Sequence, residues 1–265
     1  MNIFLRELKA HRRALLIWSI AIFLMIVSSI GKFTAYAETG QSMNELLSQI
    51  PSSIKAVLGM GNFDLTKVSG FYGMLYLYLL LLATVHASLL GANIIAKEER
   101  DKTAEFLLVK PVSRSKVITA KLLASLINIV VFNLVTLIFS VVLMGKYAKG
   151  ENITEEIGVL MAGMFILQLM FLLIGTATAA ASRNPQSAAS VSTAILLVAF
   201  VISSAIDINS RLEPLKYITP FAYFKAETLL GTGGFEPVFL LLSLAIIALL
   251  MVVTYVSYNK RDLHV

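Results

Sequence analysis

The charged residues of this chain are unevenly distributed, and six long stretches contain no Asp, Glu, Lys or Arg. A helix that crosses the roughly 30 Å hydrocarbon core of a bilayer needs about 20 apolar residues. A charge at the centre of such a helix costs on the order of 2.5–3.5 kcal/mol on insertion scales. The pattern therefore predicts an all-α, polytopic membrane protein with six transmembrane helices, at about residues 14–31, 68–96, 122–145, 157–182, 187–206 and 237–259.

The fourth and fifth stretches are separated only by Arg183, Asn184, Pro185 and Gln186. One continuous helix over residues 157–206 would be about 75 Å long, more than twice the thickness of the membrane. Proline also disfavours a helical conformation in the residue before it. We therefore expect a tight turn at residues 183–186, with a separate helix on each side.

The basic residues lie mainly on one side of the predicted bundle. The N-terminal segment, the loop between spans two and three, the 183–186 turn and the C-terminal tail hold 14 of the 22 Lys and Arg residues. Because Lys and Arg are enriched in cytoplasmic loops, both termini are predicted to be cytoplasmic, in a multi-pass protein of a bacterial cytoplasmic membrane. The net charge of +6 is then explained by this orientation, and no nucleic-acid partner is predicted.

The composition excludes several other classes of protein. Charged residues make up 14% of the chain, against about 25% in a typical soluble domain, so an ordinary soluble enzyme is not expected. The absence of cysteine excludes disulfides, thiol catalysis and cysteine-ligated metal. With only three histidines, no metal site and no catalytic residue are predicted. We expect one transmembrane domain over residues 1–265.

Two segments outside the spans are amphipathic. Residues 2–13 fit a helix on the membrane surface, with Phe4, Leu5 and Leu8 on its apolar face, although a basic anchor explains the same residues. Within the charged loop between spans two and three, residues 106–109 form an apolar run. Such a run exposed to water would promote aggregation, so we expect it to lie on lipid, on its own chain or in a groove of another protein. The mixed charges around the run favour docking to a protein over simple adhesion to lipid.

The same loop carries short motifs at residues 93–99 (NIIAKEE), 103–108 (TAEFLL), 111–114 (PVSR) and 121–122. These motifs resemble the type-2 (ABC-2-like) permease subunits of ATP-binding-cassette exporters. Those proteins commonly have an acidic cluster after span two, a threonine-glutamate-leucine-leucine segment, and proline-valine-serine-arginine before span three. Ala104 departs from the glycine that many relatives carry. The order of a basic surface helix, six spans and a membrane-associated loop before the last span is also similar.

The resemblance implies that one chain forms the transport path and a separate chain binds ATP. Two permeases would assemble with two copies of a cytoplasmic ATPase, which would bind ATP and Mg, and residues 105–109 would form the cytoplasmic coupling helix. This chain has no phosphate-binding P-loop, so we expect a permease and not an enzyme, with no cofactor of its own. The residues assigned to ATPase coupling are Glu99, Glu105, Phe106, Leu107, Leu108, Val109, Pro111 and Arg114.

Polar residues within spans either bond to other helices or line a transport pathway. The candidates are His86, Asn93, Asn128, Asn133 and Gln168. Because the spans contain no acidic residue, a proton-coupled secondary transporter is disfavoured, while a membrane scaffold or assembly protein stays open as an alternative. The sparse amides and hydroxyls favour an amphipathic drug, peptide or lipid as the substrate.

Small residues at 187–194 would let helices approach closely. Ser190 and Ala194 are therefore candidates for the seam of a homodimer or of a dimer with a close homologue, or for packing within one subunit.

The two long loops on the other side, 32–67 and 207–236, are also informative. The first has short apolar helices that rest on the membrane or cover a cavity, and the aromatic residues of the second anchor at the interface or form a partly re-entrant hairpin.

Overall fold

The six charge-free stretches are helical in the computed structural model of the protein, which describes residues 3–101, 112–148, 150, 153–182, 184, 187–231 and 233–260. Within these ranges the α-helices are α1 (Ile3–Thr39), α2 (Gln41–Ser48), α3 (Ser52–Val57), α4 (Val68–Arg100), α5 (Arg114–Gly145), α6 (Ile153–Ala181), α7 (Ala188–Ile208), α8 (Ala226–Gly231) and α9 (Pro237–Lys260). Two 3-10 helices, Ser210–Tyr217 and Pro220–Phe224, lie between α7 and α8. Six of the described helices are long and apolar enough to cross a membrane, which confirms the predicted all-α, six-span architecture.

The helix ends follow local sequence signals. At the start of α5, the Ser113 hydroxyl accepts the backbone N–H of Lys116 at 3.4 Å, which is the arrangement of a helix N-cap. Consequently α5 begins at Arg114, before the predicted span. The helix α6 ends at Ala181 and α7 begins at Ala188, so the predicted break between the fourth and fifth spans is confirmed.

The long helices place the connections at two ends of the bundle. The terminal end comprises residues 3–13, 93–101, 112–121 and 254–260, and the distal end comprises residues 40–67 and 207–236. Side-chain contacts join distant parts of the chain at each end. Arg6 bonds to Glu98 at the terminal end, and the backbone N–H of Asn62 bonds to Glu227 at the distal end.

The helices α4 and α6 lie at the centre of the bundle. In their most apolar windows 72% and 61% of the residues are buried, against at most 28% in the other four long helices. Outer helices such as α1 and α9 expose large apolar side chains, for example Ile17 and Leu241. Such faces suit contact with lipid, because hydrocarbon chains do not exclude apolar surface as water does.

Two glycines allow α4 and α6 to touch through their backbones. A Cβ atom on Gly91 would lie 2.1 Å from the carbonyl oxygen of Leu172, and one on Gly175 would lie 2.3 Å from that of Ser88. Both distances are too short for real atoms, and the obstructing atoms belong to the backbone, which cannot rotate away. This close approach of small residues is a common means of helix association in membranes.

We expect Gly175→Ala to destabilise the protein by about 1–3 kcal/mol, as overpacking of a tight contact does. Gly158→Ala is the matched control on the same helix, because a Cβ there meets no atom within 4 Å. The control should be neutral or should stabilise by up to about 1 kcal/mol through helix propensity. Unfolding of each variant in a detergent titration measures both changes. Equal stability of the two variants would contradict the close contact.

The predicted surface helix is not a separate element in the structure. Residues 3–13 are the first part of α1, and no proline or glycine interrupts this helix before Gly31. Within this segment Leu5 is exposed, whereas Glu7, which the sequence does not place on the apolar face, is fully buried. Phe4 and Leu8 do pack against the protein, beside α4, α5 and α6. A position of this segment on the membrane surface stays a prediction.

The aromatic residues of the 207–236 segment are packed mainly against the protein. Phe221, Tyr223 and Phe224 are almost fully buried, and the ring of Tyr223 stacks on that of Phe239 with centroids 4.9 Å apart. Tyr217 by contrast is half exposed. The segment thus caps the distal ends of the central helices.

Candidate functional site

Most of the predicted coupling residues lie outside the described residues. These are Glu105, Phe106, Leu107, Leu108, Val109 and Pro111. The structure describes the two ends of the loop that carries them, with Glu99 half-buried near the end of α4 and Arg114 at the start of α5. The guanidinium of Arg114 donates from Nη1 to the backbone oxygen of Asn259 at 3.2 Å. The start of α5 is therefore fixed to the end of α9.

An ionic cluster of Arg6, Glu7, Glu98 and Lys121 joins the helices on either side of this loop. Arg6 Nη2 lies 2.7 Å from Glu7 Oε1 and 2.9 Å from Glu98 Oε1. Lys121 Nζ donates to Glu98 Oε2 and to the carbonyl oxygen of Ile94. Glu98, near the end of α4, thus binds the first turn of α1 and the second turn of α5.

Burial makes the pairing within the ionic cluster necessary. Glu7 and Lys121 are 0% exposed and Glu98 is 7% exposed. Each buried ion loses several kcal/mol of hydration, which only close pairing and hydrogen bonds offset. The ionic cluster holds two positive and two negative side chains, so its charges balance. We infer that the ends of α1, α4 and α5 behave as one unit.

His11 lies at the edge of the ionic cluster, with Nε2 3.8 Å from Glu7 Oε2. Burial lowers the pKa of His11 below its ordinary value of 6.5, and the nearby charges of Lys97 and Lys121 lower it further. Glu7 and Glu98 act in the opposite direction and do not reverse the shift. His11 is therefore neutral at neutral pH, and it does not disturb the charge balance.

The sequence alone did not identify the ionic cluster. The sequence places Glu7 within the predicted surface helix, Lys121 directly before the third predicted span and Glu98 in the acidic motif after the second span. A signal was present in the N-terminal segment, where Phe4, Glu7, Leu8 and His11 share one face of a helix. That spacing identifies a buried face, but it does not reveal that its carboxylate meets partners on α4 and α5.

Two of the polar candidates within the spans meet in the core. Asn133 Nδ2 donates to Gln168 Oε1 and to the carbonyl oxygen of Met161, both at 3.2 Å. These bonds run from α5 to α6, and Gln168 is fully buried. The contact supports an interhelical role for this pair.

The other polar candidates have different surroundings. The ring of His86 lies between those of Trp18 and Phe132, with centroids 5.5 Å and 4.6 Å away. His86 Nδ1 and Asn128 Oδ1 are buried and have no hydrogen-bond partner among the described residues. Asn93 instead accepts a hydrogen bond at 2.8 Å from Arg100, on the same helix.

The two candidates for a dimer seam lie on the surface of α7. Ser190 and Ala194 are exposed, whereas Ser192 between them is fully buried. The side chains of Ser190 and Ala194 therefore remain available for a contact outside this chain.

Comparison with known protein families gives one match over nearly the whole chain. A model of the family described as ABC-2 family transporter protein matches residues 1–263. No curated protein is similar enough to the chain to be matched with it.

Proposed function

We propose that this chain, which belongs to the ABC-2 family of transporter proteins, is the permease of an exporter driven by a separate ATPase subunit. Its family and its six apolar helices make it a multi-pass membrane protein of a transport system. ATP and Mg would be bound by the ATPase, and residues 105–109 of this chain would form the coupling helix that docks on it. The permease itself would supply the path across the membrane.

The ionic cluster is the observation that best supports coupling. Residues 102–111 connect α4, which ends two residues after Glu98, with α5, whose second turn carries Lys121, and Glu98 and Lys121 are bonded to each other. A force applied to this loop would therefore move the ends of α4, α5 and α1 together. Since α4 packs against α6 through Gly91 and Gly175, the movement would reach the centre of the bundle.

We also propose the assembly and its orientation. The excess of Lys and Arg at the terminal end supports an orientation with both termini in the cytoplasm of a bacterial cell. A second permease, identical or closely homologous, would meet this one along α7, where Ser190 and Ala194 are exposed. The substrate would be an amphipathic drug, peptide or lipid, because the polar groups within the spans are mainly amides and hydroxyls.

Affinity purification of the tagged chain from its native cells tests this function. We expect one ATPase with a P-loop to be recovered in an amount equal to that of the chain, and the complex to hydrolyse ATP. A tagged six-span protein of another family serves as the control and should recover no such ATPase. Recovery of the permease without any ATPase would contradict the proposal and would favour a scaffold or a secondary transporter.

A further inference from the structure

A cavity of about 340 Å³ lies at the distal end, between α3, α4, α7 and α8. This volume is within the usual range for small-molecule sites, about 300–1,000 Å³. The positions of the lining residues along α7 show which part of the cavity is near the end of the bundle and which part is deep. Asp207 is next to last in α7, whereas Phe200 lies seven positions earlier, or about 10 Å deeper in the bundle. Leu80 of α4 also lines the cavity, and the deep part is therefore apolar.

The rim of the cavity is charged and carries both signs. Lys225 forms an ion pair with Asp207. Glu227 Oε1 accepts the backbone N–H of Asn62 at 2.8 Å, and Lys55 forms no ion pair among the described residues. A ligand at the rim would meet a carboxylate and an ammonium group within one site.

The position of Glu227 depends on a glycine. Gly61 has a φ of +46°, and a Cβ atom there would lie 2.0 Å from Glu227 Oε1. Only glycine adopts this conformation without steric cost and leaves space for the carboxylate. The local backbone is thus suited to a carboxylate at the rim of the cavity.

A buried hydroxyl at the wall of the cavity has no partner among the described residues. Tyr76 is 1% exposed, it lines the cavity, and its hydroxyl forms no hydrogen bond with the described residues. Tyr72, one helical turn away, is equally buried, but its hydroxyl donates to Ser140 Oγ at 2.8 Å. Because a buried hydroxyl without a partner is unfavourable, a ligand that brought an acceptor oxygen to this wall of the cavity would be stabilised by Tyr76.

We infer that this cavity binds a zwitterionic amphiphile, with its charged head at the rim and its apolar part beside Leu80 and Phe200. The anionic group of the head would face Lys55, and the cationic group would face Glu227. An ester or amide oxygen below the head would accept a hydrogen bond from Tyr76. A lipid in the distal leaflet would have its charged head at the rim and its acyl chain deeper in the bundle. A short free peptide also carries one cationic and one anionic group. The inference deepens the proposed export function by assigning its substrate class, and to that extent it rests on it.

Binding to the purified chain in maltoside micelles tests the inference without the ATPase. Equilibrium dialysis compares radiolabelled lysophosphatidylethanolamine, which is zwitterionic, with the anionic lysophosphatidylglycerol of the same chain length. We expect saturable binding of the zwitterionic probe, at least about tenfold tighter than that of the anionic one, the equivalent of about 1.4 kcal/mol. Equal binding of both probes, or no saturable binding, would overturn the inference.

Variants then locate the bound probe. Tyr76→Phe should weaken binding about two- to tenfold, as the loss of one hydrogen bond does, and Tyr72→Phe, the matched control, should leave it unchanged. Glu227→Gln should reduce the preference for the zwitterionic probe. Ser204→Phe should abolish binding, because Ser204 lines the cavity and the larger ring would fill it. Unchanged binding in Tyr76→Phe and Ser204→Phe would show that the probe binds outside the cavity, and would overturn the inference.

Competition identifies the source of the zwitterionic head. Displacement of the probe by the dipeptide leucyl-phenylalanine would support a peptide ligand, and its failure beside saturable lipid binding would support a lipid. Retention of the ATPase by a chain that binds no probe would overturn this inference and leave the proposed function standing. Probe binding by a chain that recovers no ATPase would overturn the proposed function and leave this inference standing.

Discussion

Replacement of both Phe106 and Leu107 by aspartate should abolish association of the chain with its ATPase while the chain remains inserted in the membrane. Burial of each of these side chains would contribute about 1.5–3 kcal/mol. Loss of both contributions amounts to roughly 3–6 kcal/mol, or about two to four orders of magnitude in affinity. The aspartates would add the cost of burying unpaired charge. Co-purification of the tagged permease with the ATPase measures the effect.

The control for this prediction places the same substitutions at the other end of the bundle. Leu46 and Ile218 lie at the distal end and are 57% and 70% exposed. The double variant Leu46→Asp with Ile218→Asp should retain the ATPase, because neither residue would face the cytoplasm. Full ATPase recovery with the Phe106 and Leu107 variant would exclude residues 105–109 as the coupling helix. Loss of the ATPase in the control variant alone would reverse the proposed orientation.

The second large effect is expected at the ionic cluster. Lys121→Met should lower the free energy of unfolding by about 3–5 kcal/mol, because it takes a positively charged partner away from the buried carboxylate of Glu98. Removing both members of a buried pair is often far less harmful than removing one. The double variant Lys121→Met with Glu98→Gln should therefore recover most of the loss, since Arg6 and Glu7 remain paired.

Unfolding of the parent protein, of Lys121→Met, of Glu98→Gln and of the double variant is measured in a detergent titration. These four measurements complete the double-mutant cycle. Lys116→Met is the matched control, since Lys116 is exposed two turns or less from Lys121 on the same helix, and it should change stability by less than about 0.5 kcal/mol. A double variant that is less stable than Lys121→Met would contradict the balanced cluster. A Lys121→Met protein as stable as the parent would also contradict the balanced cluster.

The sequence predicts features that depend on residues close together along the chain. It does not reveal contacts between residues that are far apart along the chain. The six spans are confirmed because the cost of a charge in hydrocarbon acts on each residue separately, whatever its neighbours in space. The break near Pro185 also follows from local geometry. The N-terminal segment shows the limit of such reasoning, since its helical conformation is local but the burial of Glu7 depends on residues of two other helices.

The candidate sites show the same limit. Asn133 and Gln168 are separated by 35 positions, and their contact across α5 and α6 has no signature in either helix alone. Gly91 and Gly175 each resemble an ordinary glycine within an apolar helix, whereas the small residues at 187–194 are prominent because they are adjacent in sequence. The unsatisfied hydroxyl of Tyr76 could not be distinguished by sequence from that of Tyr72, which has a partner.

The amino-acid sequence alone establishes the class of protein, the number of spans and the loop that resembles a coupling segment. Hydropathy, charge and short motifs carry that information, because each depends on residues that are close along the chain. The packing of the helices is needed to show which polar groups meet: Glu98 with Arg6 and Lys121 at one end, and Glu227 with Asn62 at the other. Such pairings result from the packing of helices that are far apart in sequence, and the buried charges are stable only when these helices have assembled.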